Sequence, residues 1–162
     1  MDTEPKSMHV SKFFRYWAPV LVWLVLIFIG STDLMSAEHT SRIIGPILRW
    51  LDPAISPQTI AHVQMIVRKA AHVSEYAVLA LLSFRAVATT FWPERAAFAA
   101  AIILSCSASL AALDEFHQSF VPSRTASARD VVIDICGAAI GAAFYWLFRR
   151  RKSSALAAAR SK

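Results

Sequence analysis

The chain has 162 residues, 56% of them hydrophobic and only 17% charged, with a mean hydropathy of +0.46 and a formal net charge of +6. A soluble domain carries about 25% charged residues, so this composition excludes an ordinary water-soluble fold and points to one polytopic membrane domain. The cations sit beside apolar blocks, as in Arg149-Arg150-Arg151-Lys152. That placement suits membrane orientation and anionic headgroups, and excludes nucleic acid as a partner.

Residues 1–15 read as a polar, mildly basic cytoplasmic tail. The first span follows at about 16–31, an apolar run with Pro19 near its start. The basic flank resembles a signal peptide, but Gly30-Ser31-Thr32-Asp33-Leu34 is a poor cleavage site. The run is therefore expected to stay as an uncleaved helix. In the long connection after it, Ile43, Ile44, Ile47, Leu48, Trp50 and Leu51 alternate with Arg42 and Arg49. This predicts a short interfacial helix with Trp50 at headgroup depth, or a lid over what the spans enclose.

Ser56-Pro57 is a helix start, a hydroxyl cap followed by proline at the first helical position. The helix runs to about Phe91, and its apolar part, about 70–91, is the second span. Trp92-Pro93-Glu94-Arg95 reads as a tight turn, and about 96–113 as the third span. The charged stretch from Asp114 to Arg124 then fills a loop as far as Arg129. The fourth span is about 131–148, and 149–162 is a basic cytoplasmic tail. Cys106 and Cys136, both in apolar runs, read as small residues packed between helices. The expected fold is all-α, with four transmembrane helices spanning 16–148 and a short interfacial helix in the first outer loop.

Four spans divide the Lys and Arg residues eleven to six, the larger share on the side of both termini. The positive-inside rule puts the termini in the cytoplasm and the Asp114–Arg124 stretch outside. The start of the second span, the end of the third and the start of the fourth then meet at one face. At 100° per residue, Arg68, Lys69, His72, Glu75 and Tyr76 share a face about 120° wide. Asp130, Asp134, Gly137 and Gly141 form a narrow stripe, acidic at the outer end and small below it. Gly137-Ala138-Ala139-Ile140-Gly141 is a small-xxx-small motif that allows close helix approach.

These residues support three readings. In a structural network, Glu75 and Asp134 pair with Arg68, Lys69, Arg124 or Arg129, and Ser127 with Asp130 forms a capping box. Arg85, off the polar face, snorkels to the inner interface. In a metal site, His72, Glu75, Glu115 and His117 supply ligands, but the spacing is generic and no HExxH occurs. In acid–base catalysis, His72 or His117 acts as base, Asp114 or Glu115 orients it, and Arg124 or Lys69 binds an anion. No cofactor and no metal are assigned on this evidence.

The order Lys69-x-x-His72-x-x-Glu75-Tyr76, then Asp114-Glu115-x-His117-Gln118-x-Phe120-x-Pro122-x-Arg124, then Asp130 leading to Gly137-x-x-x-Gly141, resembles the VanZ-like family of bacterial membrane proteins. Two positions depart from the family pattern, Ser123 where glycine is common and Asp134 where asparagine is frequent. The resemblance implies a multi-pass inner-membrane protein of the cell envelope, and a role in teicoplanin resistance by analogy alone. Two functions stay open. One is binding or scaffolding of a membrane lipid, lipid-linked cell-wall precursor or glycopeptide, with Lys69, Tyr76, Gln118, Arg124, Asp130 and Asp134 as ligand-binding candidates. The other is a membrane-embedded hydrolase or transferase using His72, Glu75, Asp114, Glu115 and His117. No protein partner is assigned.

Overall fold

A computed structural model describes residues 6–32, 37–91, 96–122, 124 and 126–160. It contains five helices, α1 (Lys6–Ser31), α2 (Ala37–Leu51), α3 (Pro57–Thr90), α4 (Ala96–Gln118) and α5 (Ala128–Arg160), and no strand among the described residues. Four stretches are long and apolar enough to cross a membrane: Phe13–Ser31, Pro57–Thr90, Ala97–Gln118 and Ala128–Arg151. The all-helical, four-span expectation holds, and the interfacial helix between the first two spans is α2. The turn expected at Trp92–Arg95 lies outside the described residues.

The bundle runs up and down, and side-chain contacts fix which helix ends are neighbours. At one end, Trp17 in the first half of α1 donates to Thr90 Oγ1 at the end of α3, 3.2 Å away. Its ring also meets Phe91 edge-on. At the other end, Ser31 on α1 lies 3.1 Å from His117 on α4. Here Arg124, after α4, donates to the carbonyls of Gly30 and Thr32. The ends of α1 and α4 and the start of α5 therefore share one face, together with the middle of α3.

Helix α3 is the central element and packs most extensively on α5. Its 34 residues extend about 51 Å, well beyond the ~30 Å of a hydrocarbon core. Ser56 caps it as expected, accepting from Thr59 N with proline next in the chain. Its excess length forms a projecting first third against which α2 packs. Ile43, Ile47, Trp50 and Leu51 of α2 stay exposed, while Ile44 turns inward. Thus α2 presents an apolar face outward, as an interfacial helix would, and still covers the interior.

Small residues carry the central contact. Carbon added at Gly137 would overlap the Val73 carbonyl oxygen and lie 3.0 Å from Val73 Cα. At Gly141 it would overlap the Ala77 carbonyl. The α3 backbone thus lies directly against the α5 glycines, the geometry that a small-xxx-small stripe permits. Around this seam Tyr76, Leu79, Ala80, Phe84, Ala138 and Ala142 form the core. Trp23 of α1 fastens the third helix by donating to the Glu75 carbonyl at 2.8 Å.

Two expectations are corrected. Asp114–Gln118 is not a loop but the last turn of α4. No proline or glycine interrupts the chain before Pro122, and Gln118 Nε2 donates back to Asp114 at 2.8 Å, a one-turn pair. Cys106 and Cys136 are exposed on the outside of the bundle, because glycine and alanine occupy the close contacts instead. The C-terminal tail continues as helix to Arg160, extending α5 with good helix formers. Arg85 is exposed as expected, its guanidinium 5.2 Å from the Tyr16 ring centre.

Candidate functional site

The charged cluster folds around a cavity of about 450 Å³ bounded by α2, the first half of α3 and the joined ends of α1, α4 and α5. Ile44, Ala61, Met65 and Val67 supply an apolar side. Arg68, Lys69, His72, Glu75, Asp114 and Asp130 supply a polar one. Asp114 and Asp130 lie near the end of α4 and the start of α5, and the α3 residues face them across the cavity.

Asp130 is the hub of the ion pairing. It begins α5, and its carboxylate takes Lys69 Nζ on one oxygen and Arg68 at 3.6 Å on the other. The capping-box expectation fails in one arm. Ser127 Oγ does accept from Arg129 N at 3.2 Å, so it caps α5. Asp130, however, points at α3 and does not return to the Ser127 amide. That amide is taken by Glu115 Oε2 of α4 at 2.6 Å. Two full cations offer the Asp130 carboxylate more than one amide does, and Glu115 satisfies the amide left over.

His72 and Asp134 form a second unit beneath the first. His72 Nδ1 lies 3.0 Å from Asp134 Oδ1, and both side chains are buried. The Asp134 carboxylate fixes the orientation of the ring through Nδ1. Nε2 faces Asp130, 4.0 Å from its Oδ2. The structural-network expectation had Asp134 paired with Arg or Lys, but its observed partner is His72. Asp134 Oδ2, Glu115 Oε1 and the Tyr76 hydroxyl are buried and have no protein partner among the described residues.

The sequence candidates separate into two groups. His72, Glu115 and Asp130 come together, each offering a ligand atom within 4.8 Å of the others. Lys69, Glu75, Asp114, Gln118 and Arg124 line the same cavity. His117 does not join them. It lies on another face of α4 from Glu115, against Ser31 and the Phe28 ring, 5.1 Å between centroids. Residues two apart on a helix point about 200° apart, so Glu115 and His117 never could share a ligand. Tyr76 is buried in the core. Phe120 packs edge-on against Phe116 on the outside. Ser123 lies outside the described residues.

Arg124 lines the cavity and also makes contacts of its own. Its guanidinium donates to the Gly30 and Thr32 carbonyls, tying off the end of α1 beside the cavity. Gln118, almost fully buried, bridges Asp114 and Arg68, which donates to its Oε1 at 3.5 Å. Ser31, which is buried, lines the cavity and meets His117, carries no functional signal in the sequence. It reads only as the last small residue of a span.

A family model described as VanZ/LLP1 matches residues 16–149. The chain belongs to the VanZ/LLP1 family. Comparison with curated proteins and with solved structures found no match. The family match covers the four spans but for the outermost residues of the first and last, and every residue of the cavity, so the polar cluster lies within the VanZ/LLP1 region and not in an appended segment.

Proposed function

We propose that this VanZ/LLP1 membrane protein binds the anionic headgroup of a cell-envelope lipid, or of a lipid-linked precursor or glycopeptide, in the 450 Å³ cavity. The observation that carries this reading is the lining itself. Arg68 and Lys69, both on Asp130, stand on the polar side of a chamber whose other side is apolar and lies against α2. A headgroup needs charge and hydrogen bonds, and its chain needs apolar wall, so a lipid of this kind satisfies both sides. The cation count supports cytoplasmic termini in a bacterial inner membrane, with the cavity at the outer leaflet.

Two measurements test this. Mass spectrometry of lipids extracted from the purified protein should find an anionic lipid retained. Replacing Arg68 and Lys69 with alanine together should lower its retention by about tenfold or more, since a charge-assisted bond contributes ~1.5–3 kcal/mol. Lipids matching the bulk membrane in both proteins would sink the reading. Orientation is tested at Ala126, an exposed position between α4 and α5. In a chain with Cys106 and Cys136 replaced by serine, Ala126→Cys should react with an impermeant maleimide on spheroplasts with intact inner membranes. Reaction only after lysis would place the cavity on the cytoplasmic side.

A second reading, a membrane-embedded hydrolase or transferase on a lipid-linked substrate, rests on His72 and Asp134. A buried imidazole held by a carboxylate, with its second nitrogen facing the cluster, is the arrangement of a general base. It predicts headgroup release when purified protein is incubated with its retained lipid. Release that persists in His72→Gln would remove His72 from that role.

A further inference from the structure

We propose that His72, Glu115 and Asp130 form a binding site for one divalent transition-metal cation. The three residues come from α3, α4 and α5, so the site exists only in the folded bundle. Each is more than nine-tenths buried, with 5%, 6% and 1% exposure respectively. Their ligand atoms already lie within 4.8 Å of one another, a separation that a cation closes by small side-chain shifts.

Three independent features specify a cation there. The first is the support behind His72. Asp134 Oδ1 lies 3.0 Å from Nδ1, which fixes the ring and points Nε2 toward Asp130. A carboxylate behind a histidine is the usual outer partner of a metal-bound imidazole. The second is Glu115. One of its oxygens is held by the Ser127 amide, while Oε1 is buried without a protein partner among the described residues. A buried carboxylate oxygen left without a donor is costly, and a cation satisfies it.

The third feature is charge. Five carboxylates gather at the cavity and its floor: Glu75, Asp114, Glu115, Asp130 and Asp134. The cations there are Arg68, Lys69 and Arg124. Among the described residues, with His72 counted as neutral, the formal excess is two negative charges, the charge that one divalent cation cancels. One imidazole and two carboxylates suit Mn²⁺ or Zn²⁺, and leave positions open for water or a headgroup oxygen. Lys69 is the internal competitor, because its ammonium rests on Oδ1 of the same Asp130 carboxylate whose Oδ2 faces His72.

The test uses the full chain, purified in detergent, stripped with EDTA and titrated with Mn²⁺, with free Mn²⁺ read by electron paramagnetic resonance. Saturation at one Mn²⁺ per chain is expected. Glu115→Gln should weaken binding by at least about tenfold, since even outer-shell losses cost 10–100-fold. Lys69→Met should tighten it, a change that a purely structural Lys69–Asp130 bridge would not produce. Absence of saturable binding overturns the site, as does unchanged affinity in Glu115→Gln. If Glu115→Gln does not fold, Lys69→Met decides, and an unaltered or weaker affinity there is equally fatal. Lipid retention measured in EDTA keeps the two proposals apart. Anionic lipid held without any Mn²⁺ binding rejects the metal site and leaves the headgroup reading standing. Mn²⁺ binding without retained anionic lipid supports the site and rejects the headgroup reading.

Discussion

Replacing Gly141 with leucine is expected to prevent assembly of the bundle. The Ala77 carbonyl lies where the first side-chain carbon would go, and Ala77 Cα is only 3.0 Å from that point. Both neighbours are backbone atoms in the middle of α3, so no rotamer change relieves the overlap. Helices α3 and α5 would have to separate along their whole seam, the largest contact in the protein. Overpacking of a core by flexible side chains costs about 1–3 kcal/mol. A backbone overlap at a central helix crossing should exceed that range. Size-exclusion chromatography and denaturant titration in detergent would show aggregation or loss of the cooperative transition. Gly45, with nothing within 4 Å of an added carbon, is the internal control, and Gly45→Ala should leave both readouts unchanged. A well-folded Gly141→Leu protein would show that α3 and α5 do not cross as described.

Replacing Asp130 with alanine should destabilise the protein by about 3–5 kcal/mol, the range for removing one partner of a buried ion pair. Asp130 is 1% exposed and meets Arg68 and Lys69 together. Without it, two cations face each other at the same cavity wall. Adding Lys69→Met to Asp130→Ala removes one of the stranded charges and should recover part of the loss. The pattern distinguishes a charge effect from simple loss of volume, which the second substitution would not repair. Unfolding free energies from a denaturant series on all four proteins of the cycle provide the check. Independent, additive losses would show that Lys69 and Asp130 do not interact.

The membrane class, the number of spans, the polar faces of α3 and α5 and the close-packing role of Gly137 and Gly141 were legible in the sequence. Each rests on a local property. An apolar run long enough to cross a bilayer is helical because lipid leaves the backbone no other hydrogen-bond partners. Within a helix, spacing alone decides which residues share a face. The same rule places Lys69 beside His72 and Asp130 above Asp134, and it held. It also separates Glu115 from His117, once Asp114–Gln118 is recognised as helix.

Which charges pair was decided only by tertiary structure. Asp134 could have met Arg, Lys or His, and every pairing was compatible with the sequence. Rotation and depth of α3 against α5, set by the glycine seam, bring His72 to Asp134 and Lys69 to Asp130. Glu115 reaches the Ser127 amide because α4 ends beside the start of α5. Arg124, a candidate anion binder by composition, turns to the α1 carbonyls because the chain leaves α4 next to Gly30 and Thr32. The cavity is likewise a property of how four helix ends and α2 meet. A sequence specifies residues along each helix, whereas a site assembled from several helices depends on their relative rotation and axial shift, to which no single stretch of chain corresponds.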